Sequence, residues 1–186
     1  FLLQIESETD RLADLVERVL EFGRASSGRI QAREVITEPS DLVEESIQIF
    51  LQRHPDWPEP QFSHAQLFRP ALLDRKAIQG VILNIMSNAA KYSEKAHPLE
   101  ISIAESSRFL FISIRDHGQG IARSELKKIF RPFHRGRHDC NKAGFGLGLA
   151  YCQEVMKAHR GSLKVQSTLG EGSEFTLQIP LDSTLE

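Results

Sequence analysis

The stretch N-I-M-S-N-A-A-K-Y-S, residues 84–93, decides the fold. Taken with the residues before it, Ile78, Val81, Ile82, Ile85 and Ala89 recur at helical spacing, so the pattern predicts an amphipathic helix from Asp74 to about Tyr92. Asn84, Asn88, Lys91 and Tyr92 follow one another four, three and one positions apart along an adjoining face of that helix. A single Asn in a helix is accounted for by capping or by a bond to neighbouring backbone. Four such residues able to project into one pocket ask for a further reason.

On both sides the chain alternates between α and β patterns. Upstream come a short strand at Glu34–Thr37 and a helix capped by Ser40, with Leu42, Val43, Ile47 and Phe50 on one face. The connector H-P-D-W-P-E-P (54–60) follows, its prolines excluding helix and central strand, and then a strand from Gln61 to Phe68. Downstream, strands are expected at Leu99–Ala104 and Phe109–Arg115, and a short helix at 124–130. A helix from Leu147 to His159 ends at Gly161, and Ser162–Ser167 and Ser173–Pro180 form a hairpin around T-L-G-E-G. The polar stretch Arg131–Ala143 is too long for an ordinary connection and is expected to be functional. Helices alternating with strands predict an α/β fold.

Residues 1–27 differ. Ile5, Leu12 and Val19 form one heptad row and Phe1, Glu8, Leu15 and Phe22 another, with charge on the remaining faces. Such a helix needs a partner helix for stability, and A-S-S-G-R at 25–29 provides a stop and hinge. Two units are therefore expected: a helix over 1–28 and an α/β domain over 31–186.

The 186 residues suffice for a buried core, and a formal net charge of −2 gives no whole-chain reason to expect nucleic acid or an anionic membrane. Any anion site must be local. Cys140 and Cys152 lack metal-ligand spacing and read as free thiols in a reducing compartment, so a cytoplasmic location is expected. No apolar run approaches the roughly 20 residues of a membrane span, and the start lacks the parts of a signal peptide. The absence of an initial Met suggests a piece of a longer protein.

Three features point to chemistry. A carboxamide oxygen is a neutral hard donor suited to Mg²⁺, Lys91 one turn on can meet a phosphate, and Tyr92 can lie against a base. D-H-G-Q-G-I (116–121) follows an apolar strand. Its glycines allow close approach of a flat ligand while the Asp116 carboxylate accepts from an exocyclic amine, although turns after strands often use the same residues. A-G-F-G-L-G-L-A (143–150) opens a helix, where Gly144, Gly146 and Gly148 can free backbone N–H groups for an anion or simply permit close packing. Arg131, Arg135, Arg137 and Lys142 add positive charge just before it.

The order N-x-x-x-N-A-A-K-Y, D-x-G-x-G-I, I-F-R-P-F, G-x-G-L-G-L, S-T-L-G-E-G-S-E-F-T-L-Q-I-P resembles the catalytic ATP-binding domain of bacterial sensor histidine kinases over about residues 31–182. The resemblance implies a two-layer α/β sandwich, a mixed sheet with helices on one face, with ATP and Mg²⁺ as ligands. It implies Asn88 as metal ligand with Asn84 beside it, Lys91 on phosphate, Tyr92 beside adenine and Asp116 on the adenine amine. Gly118, Gly120 and Ile121 would shape that pocket. Phe130 and Phe133 would anchor a mobile lid over 131–145, with Arg135 reaching the phosphates. Gly144, Gly146, Leu147, Gly148 and Leu149 would form its hinge and cradle, and Ser173 would line the site. The run E-T-D-R-L-A-D-L-V-E-R-V-L-E-F (8–22) is similar to the second helix of that family's dimerisation and phosphoacceptor hairpin. The implied partners are that hairpin, a response regulator receiver domain and a second copy in a homodimer. No histidine here has the context of a phosphoacceptor, and His117 stands where the family often has Asn.

The same fold serves ATP hydrolases, in which the resemblance places a Glu four residues before the metal Asn. Asn84 occupies that position here, and a carboxamide is no general base, so transfer to an imidazole is expected rather than to water. The alternatives are a hydrolase of this fold, or a nucleotide- or partner-binding module without catalysis.

Overall fold

The computed structural model describes residues 16, 19, 20, 22, 23, 32–63, 68–93, 97–135 and 145–181. In chain order the elements are β1 (Val35–Thr37), α1 (Pro39–Arg53), β2 (Gln61–Ser63), β3 (Ala71–Leu73), α2 (Arg75–Tyr92), β4 (Glu100–Glu105), β5 (Phe109–Asp116), α3 (Gly148–Ala158), β6 (Ser162–Thr168) and β7 (Gly172–Pro180). Five strands form one mixed sheet in the order β2-β4-β5-β7-β6, parallel only between β2 and β4. β1 and β3 make a separate antiparallel pair.

Strand alternation explains the layering. Leu110, Ile112, Ile114 on β5, Ile101 and Ile103 on β4, and Phe175, Leu177 and Ile179 on β7 are buried, and they pack against the apolar faces of the helices in one core. α2 lies against α1, α3 and β5, and its buried stripe is Ile78, Val81, Ile82, Ile85, Met86 and Ala89. Each of those large side chains contributes about 1.5–3 kcal/mol on burial. The architecture is the two-layer sandwich expected, with the three helices α1, α2 and α3 packed on the sheet.

Asp74 fixes the start of α2. Its Oδ1 accepts from the Ala77 N–H and its Oδ2 from the Arg33 N–H, each at 3.0 Å, while its own N–H donates to Nε2 of buried His159. The proton of His159 must then sit on Nδ1, which donates to the Val155 carbonyl at 2.8 Å. The end of α3 is thereby tied to the start of α2.

Four expectations change. α1 begins at Pro39, with Glu38 at the cap position and no side-chain cap bond, so Ser40 lies inside the first turn. Proline suits that first position because its missing N–H would be unpaired anyway. The strand expected over Gln61–Phe68 pairs only over Gln61–Ser63, with 64–67 outside the described residues. Ala71–Leu73, after Pro70, forms a strand of its own on β1. The expected helix at 124–130 is a series of turns, closed by Glu125 N–H to Ala122, Lys128 N–H to Glu125 and Arg131 N–H to Lys128 carbonyls. Most of the heptad helix lies outside the described residues. Within it Val16, Val19 and Leu20 are helical and exposed. Among the described residues no helix is long and apolar enough to cross a membrane.

Candidate nucleotide-binding site

On β5 the alternation that buries Leu110, Ile112 and Ile114 places Asp116 next in the same row, on the core side, at 7% exposure. Its Oδ1 accepts from the Gly118 N–H at 2.8 Å and from Ser93 Oγ at 3.1 Å. Among the described residues Oδ2 takes no hydrogen bond, so it is the atom left for an amine donor. A methyl group on Gly118 would lie 2.5 Å from the Tyr92 carbonyl, and one on Gly120 (φ +67°) would overlap the Thr168 carbonyl. Only glycine lets the loop run between the end of α2 and the β6–β7 turn. The loop is held there by Gln119 N–H to the Tyr92 carbonyl at 3.3 Å and Gly170 N–H to the Gln119 carbonyl at 2.8 Å.

Opposite Asp116 in the β5–β7 register stands buried Ser173. Ser167 Oγ donates to the Gly172 carbonyl at 2.7 Å and accepts from the Ile121 N–H at 2.8 Å. Its one proton is thus used, so in the 3.0 Å Ser167–Ser173 pair Ser173 is the donor.

The second half of the site lies where α2 meets α3. A Cβ on Gly148 would overlap the Asn84 carboxamide, whose Nδ2 would lie 2.9 Å away, so Asn84 rests on the first residue of α3. Leu147 at the cap position makes no side-chain cap bond, so among the described residues the first-turn N–H groups are left for another acceptor. Asn88 is half-buried one turn further along α2, and Lys91 Nζ stands 4.7 Å from the centre of the Tyr92 ring. The chain reaches α3 through a neck. Phe133 (φ +61°) donates its N–H to the Gly146 carbonyl at 2.9 Å, and Gly146 itself has φ +70°. Phe133 is 62% exposed and Arg135 is also exposed.

Asn84 and Gly148 therefore meet, and the Tyr92 carbonyl lies beside Gly118, whose N–H is bonded to Asp116. Ile121, Phe130 and Leu149 pack against the core and Leu147 is buried. Gly144, Arg137 and Lys142, with most of the expected lid, lie outside the described residues. Four residues were not singled out from sequence: Ser93, Ser167, Glu125 and His134. Glu125 holds Lys128 at 2.8 Å and His134 at 2.7 Å, and hydrogen bonds from Lys128, then from His134, keep its carboxyl below the ordinary range. Nothing marks such partners in a sequence, because each is separated from its neighbour by a turn or a strand.

The donor set suits MgATP. Among the described residues no group of three His, Cys, Asp or Glu is placed to hold a metal. A divalent ion here would take carboxamide oxygens from Asn84 and Asn88 and complete its shell with phosphate and water, the preference of Mg²⁺.

Residues 73–183 match the family described as histidine kinase-, DNA gyrase B-, and HSP90-like ATPase. The chain belongs to that ATPase family. Its curated relatives include the sensor protein RprX of Bacteroides fragilis, 31% identical over 95% of this chain and 35% of that protein. Another is the adaptive-response sensory kinase SasA of Synechococcus elongatus, 34% identical over 96% of this chain and 46% of that protein. The chain thus spans less than half the length of either. Among solved structures, full-length ShkA in complex with AMPPNP superposes with a TM-score of 0.87 over 99% of this chain and 39% of that one. The histidine kinase AdeS of Acinetobacter baumannii superposes at 0.77 over 98% and 84%. Both are 24% identical and share the fold. The chain is thus a member of that ATPase family, similar over nearly its whole length to a sensor protein and a sensory kinase.

Proposed function

We propose that this chain binds MgATP and transfers its γ-phosphoryl group to a histidine on a phosphoacceptor helix, for relay to a response regulator. The observation that carries the reading is the meeting of Asn84 with Gly148, which brings a carboxamide to an uncapped helix start. In this reading Asp116 Oδ2 accepts from the adenine amine while Tyr92 lies against the ring. Lys91 and Arg135 neutralise phosphate charge. Gly144, Gly146 and Gly148 free the backbone for the phosphates, and Asn88 holds Mg²⁺ with Asn84 next to it. When bound, the ion neutralises charge on the phosphate oxygens.

The chain's part is positioning and charge neutralisation. The bond from the γ-phosphorus to the ADP oxygen breaks, a phosphorus–nitrogen bond forms to the acceptor imidazole, and the imidazole proton leaves to solvent. Asn84 has no proton-accepting carboxylate to activate water, which favours the imidazole as nucleophile. In this reading residues 1–28 are part of the second helix of the dimerisation hairpin, joined to a cytoplasmic catalytic domain over 31–186, and the longer parent protein is a homodimer.

The test is calorimetric titration with ATP and Mg²⁺, then labelling of a supplied acceptor hairpin in trans. Asp116→Asn should weaken ATP about five- to 150-fold, the loss of about 1–3 kcal/mol for one buried amine contact. Normal binding by that variant would remove the adenine assignment, and absence of labelled acceptor would remove the transfer.

A further inference from the structure

We propose that the Glu125–His134 pair positions the phosphate end of the site by holding the neck that leads into α3. This rests on the nucleotide reading above and extends it to two residues with no role in that reading. Both Glu125 oxygens are engaged, Oε1 by Lys128 Nζ at 2.8 Å and Oε2 by His134 Nε2 at 2.7 Å. Glu125 itself belongs to turns anchored at one end by the Ile121 N–H on Ser167 and at the other by Ile129 and Phe130 packed on the core.

His134 adjoins a strained point. Phe133 has a left-handed backbone, which a bulky L-residue adopts only when its surroundings enforce it. Its N–H is bonded to the Gly146 carbonyl, and a Cβ on Gly146 would lie 2.6 Å from the His134 carbonyl. Gly146 is two residues from Gly148, which bears on Asn84. A His134 released from Glu125 frees the Phe133–Gly146 junction, and with it the first turn of α3. The adenine end is held separately, by Ser93 and Gly118 on Asp116, so the two ends of the ligand should respond differently.

The whole chain is titrated by NMR with MgATP and, in parallel, with adenosine, which lacks the phosphates. His134→Ala and Glu125→Ala should weaken MgATP about five- to tenfold and leave adenosine within about twofold, the scale of one ordinary hydrogen bond. His134→Gln, whose amide can still donate to Glu125, should restore most of the loss. Asp116→Asn should weaken both ligands and serves as the contrast. Unchanged MgATP binding in His134→Ala overturns the role of the pair while the nucleotide reading stands. Equal loss of adenosine, or no rescue by Gln, overturns it as well, since either would mark general loosening. A wild-type chain that bound neither ligand would remove both readings.

Discussion

Gly148 and Gly80 are both helical glycines, yet a methyl group means opposite things at the two positions. At Gly148 it would overlap the Asn84 carboxamide, a side chain that can swing aside, so the fold should survive Gly148→Ala while the meeting of α2 and α3 is lost. ATP affinity should fall at least about tenfold with stability changed by no more than about 1 kcal/mol. At Gly80 the nearest atoms are the Tyr151 hydroxyl at 3.8 Å and ring at 4.0 Å, ordinary contact, so Gly80→Ala should stabilise the helix by about 0.5–1 kcal/mol and leave binding unchanged. Thermal melts with ATP titrations of both variants check the pair, and equal effects on binding would contradict the site geometry. Asn84, Asn88 and Asp116 could be picked out from sequence because each stands in a local pattern tied to its element. Ser93, Ser167 and His134 could not, because what each does depends on a carboxylate or hydroxyl brought to it by folding.

Elements long enough to show a period were readable: α2 and α3 from their apolar stripes, β4, β5 and β7 from alternation. The three-residue β3 shows no period and is defined by its pairing with β1, and the turns at 122–131 have the spacing of a helix but are closed mainly by i→i−3 bonds, with one i→i−4 bond from the Ile129 N–H to the Glu125 carbonyl. β4 also ends on an interaction whose pH dependence follows from its chemistry. Burial pushes the Glu105 carboxyl up, but hydrogen bonds from the Arg69 N–H and guanidinium, together with the Arg69 charge, outweigh it and hold the group below its ordinary value of 4.5. A carboxyl lowered by folding contributes stability that is fully present above its unfolded value and is lost as pH falls through the folded value. Glu105→Gln should therefore cost on the order of 1 kcal/mol at pH 7, the scale of a partly screened ion pair. The difference should vanish below the folded pKa. Urea melts from pH 7 to pH 3 test this, and a constant gap across that range would assign the effect to packing.

At the scale of the molecule, the question is where independent stability begins. The described core runs from Leu42 to Ile179, and every buried hydrophobic residue in it belongs to the segment after residue 34. In the helix before it, Val16 and Leu20 are 51% and 54% exposed, so they draw little from that core. The first tie to the sandwich among the described residues after that helix is the Arg33 N–H on Asp74, which marks how far a truncation can reach before it disturbs the start of α2. A chain begun at residue 31 should melt cooperatively within about 1 kcal/mol of the full chain, because the core that sets its stability is intact. It should bind MgATP within about twofold, since Asn84, Asn88, Asp116 and Gly148 all lie beyond the cut. Any self-association of the full chain should disappear with the heptad rows, as sedimentation would show. If the shortened chain instead lost its melting transition, residues 1–28 would be part of the folded core and the boundary near residue 30 would be misplaced.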